Sequence, residues 1–314
     1  MGVLTAPDEA GGVAALRTAS GRRRKNTTMR WVFLSAALTT FAVTVTIVVI
    51  LAVDAWDFFS RVDKSLLWGQ VGWFPRRGFF DIPTLVVGTL VVTVIAMLVA
   101  VPLGLGAAIY LSEYAKPGVR RVLKPIVEVL AGIPSVVLGF FAISFINPNL
   151  IRRLFDGAQA SNLAAAAVAV GVLSVPIIAS VAEDALRAVP MSLREASFGL
   201  GARRSATAFR VVFPAAISGI IAALILGMSR AIGETMVVAI AAGATGGSLF
   251  HFDPLLPGQT MTAAMASLGF GSDQVAGDNL AFQSLYFVGA LLFLLTFLLN
   301  LVGDRLVRRI REEY

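Results

Sequence analysis

The chain has no cysteine, one histidine and no Gly-Lys dipeptide among its 314 residues. Without cysteine there is no disulfide, no thiolate metal site and no thiol nucleophile. The single histidine, His251, leaves no histidine constellation for an enzyme embedded in a membrane. A phosphate-binding P-loop needs Gly-Lys-Ser/Thr where a loop opens into a helix, so the missing dipeptide excludes an ATPase of that kind within this chain. Charge is scarce too, at 14% of residues, and no stretch outside the apolar runs is long enough to build a sizeable soluble core.

What fills the chain instead is apolar. Hydrophobic residues make up 57% and the mean hydropathy is +0.82. Six runs, at about 31–53, 84–112, 125–150, 160–182, 215–242 and 281–303, reach the roughly 20 residues that span a bilayer. The sequence therefore predicts an all-α membrane protein, one transmembrane domain over 29–314. Before it lies a basic tail at 1–28, rich in Gly, Ala and Arg and expected to be disordered. The first run is too long for a signal-peptide core and lacks a small-residue cleavage site after it, so it reads as a retained helix.

Basic residues orient the bundle by the positive-inside rule. With the N-terminus inside, the cytoplasmic segments hold the cluster Arg22–Lys25, the group Lys116 to Lys124, Arg187 to Arg210, and Arg305 to Arg311. The loop at 243–280 has no Lys or Arg at all, which marks it as external. Six spans put both termini in the cytoplasm of a multi-pass plasma (inner) membrane protein. The net charge of +7 follows from this topology and from contact with anionic lipid, so no nucleic-acid partner is expected.

One interlude stands out from the apolar background. Residues 183–200 read as an amphipathic helix, with Glu183, Asp184 and Arg187 facing water and Leu186, Val189 and Leu193 packing, and 202–213 begin another. Pro190 suits a first helical turn, because the N–H it lacks would be unpaired there. Gly201 sits where the chain must stop and reverse, a place for a left-handed residue. The bland reading is an ordinary loop between two spans. This one, at about 32 residues, is long for a small bundle and too periodic to be disordered. A helix–Gly–helix knob is a shape that can dock into a groove.

Two spans carry further signals. Arg230 and Glu234, within Gly227-Met-Ser-Arg-Ala-Ile-Gly-Glu-Thr-Met236, are ionisable residues at membrane depth, which are costly and face protein or water. Four residues apart on a helix, they share a face and can pair. Either they form a structural ion pair, or Arg230 lines a passage and offers its fork to an oxyanion while Glu234 tunes it. In the third run, Pro134 of Gly132-Ile-Pro-Ser135 removes a hydrogen bond mid-span. Such a break forms either a packing kink or part of a substrate site. Glu128 lies one turn after Lys124, at pathway depth or near the headgroups. Trp56, Trp68 and Trp73, with Phe58, Phe59 and Phe80, have the character of interface anchors.

The interlude resembles the EAA loop of ABC-importer permeases. Glu195-Ala196-Ser197, Gly201, Val211 and Phe213-Pro214 keep its spacing, with Ser197 and Phe213 departing from the commonest residues. Gly132-Ile-Pro-Ser-Val-Val-x-Gly139 and Arg230-Ala-Ile-Gly-Glu-Thr-Met236 are similar to the permeases of phosphate-specific ABC importers, the PstC-type more than the PstA-type. The resemblance covers about 84–305. It implies a type I importer permease whose cytoplasmic loop at 183–214 couples to a separate ATPase, present in two copies. It also implies a second, related permease subunit, an extracytoplasmic phosphate-binding protein, and phosphate as cargo. The implied pathway residues are Arg230, Glu234, Glu128, Pro134 and Ser135, and the coupling residues Glu195, Ala196, Ser197, Gly201 and Pro214. No cofactor is expected in this chain, because ATP would be used by the partner. The rival readings are a permease for sulfate, molybdate or another small solute, an ion-coupled secondary transporter, and a membrane enzyme. A secondary transporter built on an inverted repeat should show one, and none is visible.

Overall fold

The computed structural model describes residues 9–69, 71–243, 246–269 and 279–312. The chain divides into two units, residues up to Val53 and residues from Asp54 onward. The first unit is a single helix that begins at Glu9 as part of α1 (Glu9–Arg61). Of the basic tail expected at 1–28, residues 1–8 lie outside the described residues and the rest is continuous with α1. Trp31, Phe33 and Phe41 on that helix are all exposed, as lipid-facing residues should be.

The second unit holds the remaining elements. Strand β1 (Gly72–Phe74) and β2 (Phe79–Phe80) are followed by α2 (Ile82–Ile109), whose last turn continues as a π-helical turn, Tyr110–Tyr114. Then come α3 (Pro117–Leu130), α4 (Ser135–Phe141) with its π-helical continuation Ala142–Ile151, and the short α5 (Arg152–Leu154). The long α6 (Leu163–Ala188) leads into α7 (Met191–Gly199), α8 (Arg204–Thr207) and α9 (Phe213–Ala215). Beyond lie α10 (Ile217–Ile232), α11 (Met236–Ala241), β3 (Ser248–Leu249), α12 (Met261–Gly269) and α13 (Asn279–Glu312).

Among the described residues, five helices are long and apolar enough to cross a membrane: Thr28–Arg61, Ile82–Tyr114, Ser135–Leu154, Leu163–Ala188 and Leu280–Arg309. A sixth candidate is the pair Arg204–Ala215 and Ile217–Ile232, bent by 73°. Two expected spans move. The third begins at Ser135 rather than near 125. Pro134 pushes the residue before it out of the α region, and Ala131, Gly132 and Ile133 close the preceding helix through bonds to carbonyls three residues back. The fifth is interrupted at Gly233–Thr235 rather than continuous to 242.

The freed segment α3 is strongly two-faced. Val119, Val122, Ile126 and Val129 form an exposed apolar stripe, while Arg120 and Lys124 turn toward α6. Polar inward and apolar outward is the arrangement that lipid allows.

The core of the bundle is α6 against α2 and α10. Ala164 to Ala167, Ala169, Ala179 and Ala182 are fully or nearly fully buried, and small residues of this kind let helix backbones approach closely. A side chain at Gly171 would stand 2.8 Å from the Ala96 carbonyl oxygen, so α2 and α6 meet there backbone to backbone. Asn162 starts α6 by accepting from the Ala165 N–H at 2.8 Å and donating to Asn147 Oδ1 at 2.8 Å.

At one end a small antiparallel sheet, ordered β2–β1–β3, pairs Trp73 with Phe80 and with Ser248. The expectation of helices alone omitted it, because each strand is only two or three residues long. It also divides the aromatic group. Trp56 and Trp68 are exposed, as interface anchors would be, whereas Phe58, Trp73 and Phe80 are buried and meet edge to face.

Candidate functional site

The break between α10 and α11 lies beside a cavity of about 700 Å³. Its wall includes Glu128 near the end of α3, Pro176 and Ser180 of α6, Ser229 and Arg230 of α10, and Glu234 in the break. Four stretches thus converge on one volume, within the size range of small-ligand sites. Three of the five predicted pathway residues are brought together here. Pro134 and Ser135 do not line the cavity. They form the turn that starts α4, where the Pro134 carbonyl accepts from Val137 N–H at 3.0 Å, and they fix where the cavity's α3 wall ends.

Arg230 and Glu234 do not share a continuous helix, contrary to expectation. Gly233 ends α10, donating its N–H to the Ser229 carbonyl at 3.1 Å. Glu234, buried, turns its Oε1 to accept from the Val237 N–H at 3.3 Å and so caps α11. Its own carbonyl accepts from the Thr262 hydroxyl at 2.7 Å. No Arg230–Glu234 ion pair forms among the described residues. Arg230 is only partly buried, but its Nε is buried and has no hydrogen-bond partner. An unsatisfied buried donor costs about 1–3 kcal/mol, and an arginine fork is suited to an oxyanion. The wall carries one guanidinium and two carboxylates.

Sequence reasoning missed Pro176, Ser180 and Ser229 as wall residues. Pro176 was the available signal: a proline inside an apolar helix frees the carbonyl four residues before it.

The predicted coupling segment is also rearranged. Residues 183–200 are two helices rather than one, because Val189 and Pro190 are extended and separate α6 from α7. Glu183 does not face water: its side chain is 1% exposed. Oε1 accepts from Arg120 Nε and Nη2 at 2.9 and 2.7 Å, and Oε2 from Lys124 Nζ at 2.6 Å. A buried carboxylate requires such partners, and α3 supplies them from one face. Burial pulls the Lys124 ammonium down, but its bonds to Asp184 and Glu183 outweigh this and place its pKa above the ordinary lysine value. Asp184 and Arg187 are exposed as expected; Leu186 and Val189 are buried, and Leu193 is exposed.

Arg194 fastens the elbow. It donates to the Leu186 and Val189 carbonyls and to Glu113 Oε1. Beyond it, Glu195 and Ala196 lie exposed on α7, and the Ser197 hydroxyl is 2.9 Å from that of Thr207. Gly201 has φ +78° with nothing within 4 Å of where a Cβ would stand, and the Ala202 N–H closes the turn on the Ser197 carbonyl. Pro214 stands in α9, just before the 73° bend. The knob also exposes Met191, Phe198, Leu200 and Phe209, with Leu200 at 90%. Exposed apolar residues rimmed by arginines mark a contact surface.

Known proteins of the same architecture have been described. The family of binding-protein-dependent transport system inner membrane components matches residues 100–312. The phosphate transport system permease protein PstC of Pasteurella multocida is 30% identical over 297 residues, covering 88% of this chain and 90% of that one. PstC 1 of Mycobacterium tuberculosis is 31% identical over 256 residues, 75% of each chain. The probable ABC transporter permease YqgH of Bacillus subtilis is 34% identical over 223 residues, 69% of this chain and 71% of that one. Among solved structures, the inward-facing MetNI methionine ABC transporter superposes with a TM-score of 0.53 at 22% identity, over 73% of this chain and 93% of that one. A bacterial ABC transporter involved in import of the acidic polysaccharide alginate gives 0.54 at 14% identity, over 74% and 79%. These two show the fold. On the family match and on PstC-type relatives that cover most of its length, the protein belongs to the binding-protein-dependent transport system inner membrane components, multi-pass permease subunits of ABC transporters that work with ATPase and substrate-binding partners.

Proposed function

We propose that this chain lines the translocation pathway of an ATP-driven phosphate importer. The observation that carries the reading is Arg230, with a buried, unpartnered Nε on the wall of a 700 Å³ cavity shared with Glu128 and Glu234. The printed cargo of the PstC relatives supports the choice of phosphate. Glu128 and Glu234 oppose Arg230, so the anion is held loosely enough to leave. Sulfate or molybdate is the alternative cargo that the same fork would accept.

In this reading both termini and the knob at 183–214 face the cytoplasm, and the segment at 243–280 faces out. Glu195, Ala196, Ser197, Gly201 and Pro214 belong to the surface and turn that an ATPase grips, one of two copies in the assembly. A second, related permease completes the pore, and a phosphate-binding protein delivers cargo. ATP is hydrolysed in the partner, with no cofactor in this chain. The test is uptake of radiolabelled phosphate by proteoliposomes holding the full complex, with sulfate and molybdate as competitors. Saturable, ATP-dependent uptake resisted by neither competitor alone at equal concentration supports phosphate. Displacement by sulfate at equal concentration moves the cargo to another oxyanion.

A further inference from the structure

A second pocket, of about 340 Å³, lies at the other end of α3 from the cavity. Ser112, Pro117, Arg120, Arg121 and Arg187 line it. The carboxylates around it are already engaged. Glu183 has both oxygens taken by Arg120 and Lys124, and Asp184 takes the remaining contact of Lys124. Glu113 accepts from Arg194 and Ser112. Arg187 Nε is left 3.9 Å from Glu183, beyond hydrogen-bond distance. Arg121 makes no ion pair among the described residues. With Arg194 included, five cations, Arg120, Arg121, Lys124, Arg187 and Arg194, thus stand against three carboxylates, Glu113, Glu183 and Asp184, around the pocket.

We propose that this pocket is a binding site for a phosphate group. Guanidinium forks match phosphate oxygens bidentately, and two of the three arginines here have capacity to spare. Pro117 opens α3 with no side-chain cap, so the helix's positive end adds to the same field. Two sources supply this chemistry: an inorganic phosphate ion in solution, and the phosphodiester headgroup of an anionic lipid, which basic clusters at the membrane surface attract. Occupancy reaches the knob through a short path. Arg120 and Arg187 border Glu183 of α6, and the Leu186 and Val189 carbonyls just beyond it seat Arg194 of α7. No cavity residue takes part, so the site stands whichever anion is cargo.

The experiment uses the purified permease–ATPase complex and the double variant Arg121→Gln/Arg187→Gln, which leaves Arg120 and Lys124 on Glu183. Equilibrium binding of radiolabelled inorganic phosphate is measured in an Arg230→Gln background, to silence the pathway. Retention of phosphatidylglycerol against phosphatidylcholine is measured by native mass spectrometry after extraction from mixed nanodiscs. The double variant should lose at least about tenfold in affinity for one probe. Loss in the phosphate arm assigns a free anion, and loss in the lipid arm assigns a headgroup. Should the double variant fail to assemble, Ser112→Cys gives a second readout in this cysteine-free chain, since either probe should slow its thiol labelling several-fold. Equal binding of both probes by parent and variant, or for the second readout an unchanged labelling rate with both, overturns the proposal.

Discussion

Arg194 and Glu113 join across 81 residues of sequence, with Nη2 and Oε1 3.0 Å apart and both side chains nearly buried at 11% and 8% exposure. The bond ties the knob to the end of α2, while the two carbonyls that Arg194 also holds tie it to the end of α6. Arg194 thus links α7 to the ends of both helices. Removing one partner of a buried pair leaves the other charge stranded, at a cost of about 3–5 kcal/mol. Glu113→Gln should lower the thermal stability of the complex and uncouple ATP hydrolysis from uptake. In a double-mutant cycle, Glu113→Ala with Arg194→Ala should cost less than the sum by about 1–3 kcal/mol. Strict additivity in the melting curves would show that the two residues act separately.

Gly201→Val should impair coupling without impairing insertion. The position has φ +78° and open space around it, so the penalty is backbone strain alone, on the order of 1–2 kcal/mol. Gly201→Asn should be milder, because asparagine tolerates the left-handed region. The measurement is substrate-stimulated ATPase activity alongside co-purification of the ATPase. Full stimulation in Gly201→Val would remove the turn from the coupling mechanism.

Orientation is testable in intact cells with an impermeant thiol reagent. Leu249→Cys, exposed on β3, should label from outside; Ser205→Cys, exposed on α8, should label only after the membrane is opened. The reverse pattern would invert the bundle.

Much of this was legible in the sequence, and the failures have particular causes. Run lengths locate five span-length helices and the bent pair that is the sixth candidate among the described residues, and Gly201 stands at a reversal with positive φ because its backbone demand is local. The third span was misplaced by about ten residues: α3 is apolar on one face, and averaging over a window hides that its other face is charged. Periodicity alone puts Glu183 on a solvent face, because its partners Arg120 and Lys124 lie 63 and 59 residues away in sequence. Pairing of Arg230 with Glu234 assumed an unbroken helix. The Gly233–Thr235 break is set by Thr262 and by the capping of α11, both tertiary in origin or visible only after the break is known.

That break sharpens what substitution at the cavity should do. Arg230→Gln should reduce phosphate uptake by at least about tenfold, equivalent to about 1.4 kcal/mol of barrier, with the complex assembled in normal amount. Arg230→Lys should fail nearly as badly, since an ammonium keeps the charge but not the planar fork. Glu234 differs, because its carboxylate also caps α11 through the Val237 N–H. Glu234→Gln keeps an acceptor oxygen for that N–H while removing a charge that opposes the anion, so assembly should be normal and apparent affinity for phosphate should rise. Glu234→Leu loses the cap as well and should lower stability by about 0.5–2 kcal/mol. Uptake kinetics and melting temperature, measured together on the four variants, separate the two roles. Parental uptake in Arg230→Gln would leave the buried Nε without a functional reason and would remove the physical argument for an anionic cargo.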